Sequence, residues 1–200
     1  MESMIGRFFI FIFLWVSLIQ TAQALSFNTV VIDAGHGGKD GGCAWNGLVE
    51  KKLCLDTALR LERMLKAKGL RVVMTRRSDI FMGLEGRARL ANRYSKAVFV
   101  SIHFNASKIR SRSGMEVFYR SAKGKVLAAS ILRKMDNNLK GVNRGVSHNN
   151  FKVLTDTLMP AVLIECAYLS NLTEARRCAS SAHRQELAES IAAGILAAKS

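Results

Sequence analysis

Proline is nearly absent from this chain of 200 residues, in which Pro160 stands alone. A chain with so little proline has no proline-rich hinge, and no internal repeat, linker or low-complexity segment divides it either. Hydrophobic residues make up 49% of the sequence, which is enough to form a substantial core. We therefore predict a single globular domain.

Cysteine is scarce as well, and its spacing argues against a structural zinc knuckle, since no two cysteines form a C-x-x-C pair. An oxidising compartment would permit disulfides in any of three pairings. Two of the cysteines, however, fall at apolar positions of a predicted helix and a predicted strand, so we expect buried free thiols. The four cysteines are Cys43, Cys54, Cys166 and Cys178.

Acidic residues are few: 15 Asp and Glu stand against 30 Lys and Arg, which leaves a formal net charge of +15. Such a charge favours anionic partners. The basic residues are scattered and are not interleaved with the stacking aromatics that a nucleic-acid groove requires, so we expect no nucleic-acid partner. We predict instead an electrostatic association with an anionic envelope surface.

Long apolar runs are missing except near the start, where residues 8–19 read FFIFIFLWVSLI. Twelve apolar residues are too few to span a bilayer comfortably. Ala22-Gln23-Ala24 has the small-x-small form of a signal-peptidase site. We predict that residues 1–24 are a cleaved signal peptide, with an uncleaved membrane anchor as the alternative. The mature chain, residues 25–200, is then exported to the periplasm or cell envelope of a bacterium and is expected to be a monomer.

The remaining sequence alternates between strand-like and helix-like segments. This pattern predicts a single α/β domain with a mostly parallel twisted sheet and helices on both faces. The predicted helices are 51–68, 84–95, 125–139 and 182–198, and the predicted strands begin with Val30-Val31-Ile32 and continue at 70–75, 97–105, 114–119, 151–154 and 161–169.

Three of the predicted strands end in residues that can carry chemistry. The first runs into a glycine-rich loop that contains His36, the second into His103, and the third into Glu165. Ligands gather beyond the carboxyl ends of parallel strands, and Glu50 opens the helix that follows the glycine loop. Two histidines and a carboxylate form a typical catalytic zinc site, and a further glutamate can act on bound water.

Several motifs occur in a characteristic order: VVIDAGHGGKDGG, NGLVEK, TRRSD, SIHFNAS, SGMEVFY and MPAVLIECAYLSN. Together they resemble the Amidase_3 family, the zinc-dependent N-acetylmuramoyl-L-alanine amidases of the cell-separation (AmiC/CwlM-like) type. The resemblance extends from about Phe27 to the last helix. It implies an enzyme that cuts the amide bond between N-acetylmuramic acid and L-alanine in peptidoglycan, in cell-wall remodelling and daughter-cell separation.

The resemblance also implies roles for individual residues. His36, Glu50 and His103 match the ligands of one zinc ion, and Glu165 matches the catalytic glutamate. Asn105 matches the asparagine of the second-histidine motif, and we expect it to orient a ligand or contact substrate, with a turn-capping role as the alternative. Inhibited members carry an inserted helix after the strand at 116–119, but here only RSAKGK separates Tyr119 from Val126. We therefore predict a site without an autoinhibitory helix.

Other interpretations of the sequence remain. Arg76 is a candidate for binding a substrate carboxylate, or else part of a structural ion pair. Cys166 could serve a Cys–His peptidoglycan peptidase with His36 or His103 as base, although a reactive thiolate needs an exposed, electropositive site. The chain could also be a catalytically silent wall-binding protein. It contains neither a G-x-S-x-G elbow nor a G-x-x-x-x-G-K-[ST] phosphate loop.

Overall fold

A six-stranded sheet forms the centre of the molecule, and a short hairpin, β2–β3, lies apart from it. The structure is a computed structural model and describes residues 24–200. Its strands are β1 (Thr29–Ala34), β2 (Ala44–Trp45), β3 (Leu48–Val49), β4 (Arg71–Met74), β5 (Ala97–Asn105), β6 (Met115–Tyr119), β7 (Asn143–His148) and β8 (Ala161–Tyr168). Its helices are α1 (Glu50–Ala67), α2 (Leu84–Ala91), α3 (Ala122–Asn138), α4 (Lys152–Thr155), α5 (Leu172–Ala179) and α6 (Ser181–Ala197).

The strand order across the sheet is β4-β1-β5-β8-β6-β7. The first four strands are parallel, so their carboxyl ends share one edge. β6 pairs antiparallel with β8, and β7 pairs parallel with β6. The predicted mostly parallel α/β domain is therefore confirmed, with an antiparallel junction between β8 and β6.

The sheet separates two hydrophobic layers, as β1 illustrates. Val30 and Ile32 point into the larger core, which is completed by residues of α1, α3 and α6. Val31 points into a smaller core on the other face, with residues of α2 and α4. A strand buried on both faces has no polar side to alternate with, which explains its continuous apolar run. The helices lie on both faces, as predicted.

One predicted element is wrong and several were missed. The segment FKVL, predicted as a strand at 151–154, forms the single helical turn α4, in which Val153 and Leu154 are both buried. The periodicity of a short apolar run does not distinguish a strand from a helix.

The strand β7, the helix α5 and the hairpin β2–β3 were not predicted. β7 is polar and lies at the sheet edge, and α5 depends on Asn171, whose side chain accepts bonds from the amides of Thr173 and Glu174.

The structure also shows the state of the cysteines and tests for membrane-spanning helices among the described residues. All four cysteines are free; Cys54, Cys166 and Cys178 are buried, and Cys43 is half-buried. Within residues 24–200, no helix combines the length and the apolar character that crossing a bilayer requires. Residues 1–23 of the predicted signal peptide lie outside the described part of the chain.

A candidate metal centre and active site

The carboxyl edge of the parallel strands brings together the residues that the sequence singled out. Ala34 at the end of β1 pairs with Ile102 of β5, one residue before His103. His103 pairs in turn with Glu165 of β8. The loop after β1 carries His36, and α1 begins at Glu50. His36, Glu50, His103 and Glu165 all line one cavity of about 640 Å³.

The glycines after β1 make room for these side chains. A Cβ atom on Gly35 would lie 2.5 Å from the His103 ring, and one on Gly42 would lie 2.5 Å from Glu50 Oε2 and 2.7 Å from the His36 ring. Gly42 also has a positive φ of 65°, a conformation that glycine adopts without strain. The glycine-rich composition of the loop therefore follows from the close approach of the two imidazoles and the carboxylate.

His36, Glu50 and His103 form a compact group of possible metal ligands. Glu50 Oε1 lies 2.9 Å from His36 Nε2 and 3.0 Å from His103 Nδ1. One donor atom from each of the three residues lies within 4.8 Å of the others. Two imidazoles and one carboxylate are donors typical of a catalytic zinc site with an open position. The chemistry of this donor set therefore fits a divalent metal ion.

Partners in the surrounding shell fix two of these ligands. His36 Nδ1 lies 2.9 Å from Asp40 Oδ2, a contact that orients the imidazole with Nε2 toward the site. The Glu50 carboxylate accepts bonds from the amides of Cys43, at 2.9 Å, and Phe104, at 3.2 Å. Burial would raise the pKa of Glu50, but hydrogen bonds from His103 and His36 lower that pKa well below its ordinary value. Glu50 is thus ionised, as a metal ligand must be.

Glu165 is the one carboxylate of the cavity wall left with an unpartnered oxygen. Its Oε2 atom is buried and, among the described residues, has no hydrogen-bond partner. Burial, and then the nearby charges of Glu50 and Glu116, raise the pKa of Glu165 well above its ordinary value. A carboxyl with a raised pKa beside a metal-ligand group can accept a proton and return it.

Asn105 lies next to Glu165 and is held by a carboxylate that sequence reasoning did not single out. Its Nδ2 donates to Glu116 Oε1 at 3.1 Å, and Tyr168 Oη donates to the same oxygen at 2.6 Å. Glu116 stands directly opposite Glu165 across the antiparallel β6–β8 pair. The structure thus places Asn105 on the cavity wall.

Residues 30–197 match the Amidase_3 family, which is described as N-acetylmuramoyl-L-alanine amidase. The chain belongs to this family. The N-acetylmuramoyl-L-alanine amidase LytC of Bacillus subtilis (strain 168) is 36% identical over 167 residues, which cover 82% of this chain and 34% of LytC. The chain therefore spans about a third of the length of that relative.

Two solved structures of N-acetylmuramoyl-L-alanine amidases have the same architecture. The N-acetylmuramoyl-L-alanine amidase AmiC2 of Nostoc punctiforme superimposes with a TM-score of 0.82 at 38% identity, over 84% of this chain and 95% of that structure. The catalytic domain of the amidase CwlV from Bacillus (Paenibacillus) polymyxa var. colistinus gives a TM-score of 0.82 at 37% identity, over 86% of this chain and 97% of that one.

Arg76 of this Amidase_3 domain does not occupy the position expected of a substrate ligand. Its side chain is 2% exposed and donates to the carbonyls of Ala34 at 2.9 Å, Gly35 at 2.7 Å and Lys51 at 2.8 Å. The guanidinium is thus occupied by backbone around the glycine loop. Arg76 is a structural residue, although its partners are carbonyls rather than the ion pair considered above.

A second buried arginine, Arg87, was missed because nothing in the sequence links it to β1. It pairs with the carboxylate of Asp33 at 2.6 Å and donates to the carbonyls of Ala34 and His36, both at 2.7 Å. Thr75 and Ser101 also donate to Asp33, at 2.7 and 2.6 Å. Two arginines therefore hold the backbone that carries His36.

The alternative nucleophile of the Amidase_3 domain is poorly placed. Cys166 follows Glu165 on β8 and lies in the larger core, where it is 2% exposed. Successive side chains of a strand point to opposite faces, so the thiol lies away from the cavity. Burial raises the pKa of Cys166 well above its ordinary value, which leaves no thiolate for attack.

Proposed function

We propose that this domain is a zinc-dependent peptidoglycan hydrolase that cleaves the amide bond between N-acetylmuramic acid and L-alanine of the stem peptide. One observation carries the proposal: His36, Glu50 and His103 form a His–Glu–His group in the same cavity as the buried, unpartnered carboxyl of Glu165. Membership of the Amidase_3 family supports the same reaction.

His36, Glu50 and His103 would hold one zinc ion, with Asp40 fixing the orientation of the His36 ring. Zinc lowers the pKa of water to about 7 and polarises a carbonyl oxygen. The amides of Cys43 and Phe104 keep the Glu50 carboxylate in place during the reaction. Because His36, Glu50 and His103 all line the cavity, a substrate carbonyl in the cavity would have access to a metal that they hold.

Glu165 moves the proton in this mechanism. Its carboxylate takes a proton from the attacking water and donates it to the nitrogen of L-alanine as the amide bond breaks. Within the described chain no donor binds the buried Oε2, so that oxygen does not tie the carboxyl to another group during the transfer. Asn105, which is tethered to Glu116 at 3.1 Å, is placed to contact the substrate on the same side of the cavity.

The cavity has no autoinhibitory helix in this proposal. β6 ends at Tyr119 and α3 begins at Ala122, so only Arg120 and Ser121 connect them in the described structure. We expect a constitutively accessible site in an exported monomer that acts on the cell wall, where the net charge of +15 favours anionic surfaces. Its role would be cell-wall remodelling and daughter-cell separation.

Metal analysis paired with an activity assay tests the proposal. The purified protein should contain about one zinc ion per chain and release stem peptides from peptidoglycan without an added partner. Chelation should abolish the release, and zinc should restore it. Glu165→Gln should keep the metal and lose at least about 100-fold in kcat, within the contribution typical of general acid–base catalysis.

Three results would contradict parts of this proposal. Cleavage by a metal-free protein would exclude the zinc mechanism. Metal binding without cleavage, and without any effect of Glu165→Gln on wall binding, would favour a silent wall-binding protein. Activity that appears only after a partner is added would contradict the accessible site.

A further inference from the structure

Two exposed arginines, Arg112 and Arg144, lie beside the ring of Tyr168, and we call them the arginine pair. Their guanidinium carbons lie 5.4 and 5.6 Å from the centre of that ring. Among residues 24–200, neither has a carboxylate within 4 Å. Arg144 also donates to the carbonyl of Ser113 at 3.3 Å, which restricts its position.

The acidic groups that contact Tyr168 are already engaged. Glu116 accepts the hydroxyl of Tyr168 and the amide of Asn105. Glu174 accepts the backbone amides of Gly114 at 2.8 Å and Tyr168 at 2.7 Å. Both carboxylates therefore hold Tyr168, on which the arginine pair lies, and neither pairs with the two guanidinium groups. These groups are available to bind an external anion.

The arginine pair is connected to the catalytic cavity through a short chain of contacts. Asn105 lines the cavity with Glu165, and it shares the Glu116 oxygen with Tyr168, on whose ring the pair is stacked. The cavity wall also has an apolar flank that includes Phe81, which is 49% exposed and has the Lys39 ammonium 4.8 Å from its ring centre. The site thus has a cationic pair beyond Asn105 and an apolar flank around Phe81.

We propose that the arginine pair is a subsite for a carboxylate of the stem peptide; this inference rests on the proposed amidase function. Guanidinium groups bind carboxylates through paired, charge-assisted hydrogen bonds, and a stacked guanidinium is already ordered for that contact. The residue after L-alanine carries a free carboxylate when it is D-glutamate. Two extended residues span roughly 7 Å, so a carboxylate on the second residue of the peptide lies about that far from the scissile bond.

This subsite would fix the orientation of the substrate, with the peptide and the sugar on different sides of the cavity. The peptide leaves the cavity past Asn105 toward Tyr168, and the uncharged sugar lies against the apolar flank near Phe81. General attraction to a polyanion would require only net charge, which the chain has in excess at +15. The arginine pair differs from that background because both guanidinium groups lie by one tyrosine ring, lack an acidic partner in the described structure, and are linked to the cavity through Tyr168, Glu116 and Asn105.

A pair of substrates that differ in one charge tests the subsite. The fragments GlcNAc-MurNAc-L-Ala-D-Glu and GlcNAc-MurNAc-L-Ala-D-isoglutamine, each with its γ-carboxyl blocked as a methylamide, present the same scissile bond with a free or an amidated α-carboxyl. The new amino group of L-alanine reports cleavage. We expect the free acid to have a kcat/KM at least about tenfold higher. The double variant R112Q/R144Q should lose this preference, through a lower kcat/KM for the free acid.

The double variant R63Q/R93Q is the matched control. Arg63 and Arg93 are also exposed, and their loss removes the same charge. Arg93 lies with residues at the amino-terminal ends of the strands, opposite the site. This control should keep the tenfold preference. Binding of both fragments to Glu165→Gln by calorimetry provides a readout that does not depend on turnover, with the free acid expected to bind about tenfold more tightly.

Equal kcat/KM and equal Kd for the two fragments would overturn the subsite while leaving the amidase function intact. An equal loss in R112Q/R144Q and R63Q/R93Q would also overturn it, because it would indicate attraction by net charge alone. If the wild-type chain with zinc cleaved neither fragment nor intact peptidoglycan, the proposed function itself would fail. A preference in the Kd of Glu165→Gln, with both fragments uncleaved, would still support the subsite.

Discussion

Replacing Arg87 with methionine should destabilise the protein more than replacing any exposed basic residue. Arg87 is 3% exposed and Asp33 is 1% exposed, so the variant leaves a buried carboxylate without its cation. Breaking a buried ion pair by removing one partner costs about 3–5 kcal/mol. The variant also removes the donor that the carbonyls of His36 and Met82 accept at 2.7 and 2.9 Å, whereas the carbonyl of Ala34 keeps its bond from Arg76 at 2.9 Å.

The pH dependence of this loss identifies its cause. Burial alone would raise the pKa of Asp33, but Arg87 and the hydroxyl of Ser101 hold it below its ordinary value. In the wild-type protein this stabilisation is therefore present above an unfolded-state pKa of about 3.9 and is lost as the pH falls through the lower, folded-state value. Without Arg87 the buried carboxyl gains stability from protonation, so the deficit of Arg87→Met should shrink as the pH falls toward 4.

Urea unfolding, followed by circular dichroism at pH 7 and pH 4.5, measures both effects. Lys66→Met is the comparison, because Lys66 is half exposed in its 2.8 Å ion pair with Glu62, and its loss should change the free energy of unfolding far less. Asp33→Asn/Arg87→Met should recover part of the loss at pH 7, since no buried charge remains. A loss below about 1 kcal/mol in Arg87→Met, or a loss independent of pH, would refute this account.

Two further variants test the site itself. Gly42→Ala should lower zinc affinity at least tenfold, because its Cβ would lie 2.5 Å from Glu50 Oε2. Gly47→Ala is the control, because a Cβ there meets no atom within 4 Å. It should leave zinc affinity unchanged and cost about 1–2 kcal/mol of stability, since Gly47 has a φ of 79°. Calorimetric titration with zinc compares the two; equal affinities would contradict the steric argument. Cys166→Ala should keep kcat within about twofold and lose about 1 kcal/mol of stability, and a loss of turnover with intact folding would revive the cysteine nucleophile.

The candidate site residues could be predicted because each lies near the end of an apolar strand or at the start of a helix, which the sequence pattern indicates. His36 follows an apolar strand that turns into glycines, and His103 and Glu165 lie in the carboxyl-terminal halves of two further strands. Parallel strands share an edge, so the sequence alone predicts that these side chains meet. Glu50 was found because it opens a helix directly after the loop.

The elements that sequence reasoning missed owe their state to tertiary contacts. α4 packs against α2, and Asn92 donates to the carbonyl of Asp156, at the end of α4. β7 consists of the polar residues NRGVSH and is a strand because β6 offers it an edge. Neither contact leaves a local periodicity, so hydrophobic patterning could not have found them.

The same reasoning explains why the residues that hold the candidate metal centre could not be predicted. A loop rich in glycine has little conformational preference of its own, so its rigidity must come from hydrogen bonds with distant parts of the chain. Here Arg76 and Arg87, more than 40 residues away, bind the carbonyls of Ala34, Gly35 and His36. A pattern of glycines around a histidine therefore indicates where a metal ligand lies, while the cations that fix it must be found in the structure.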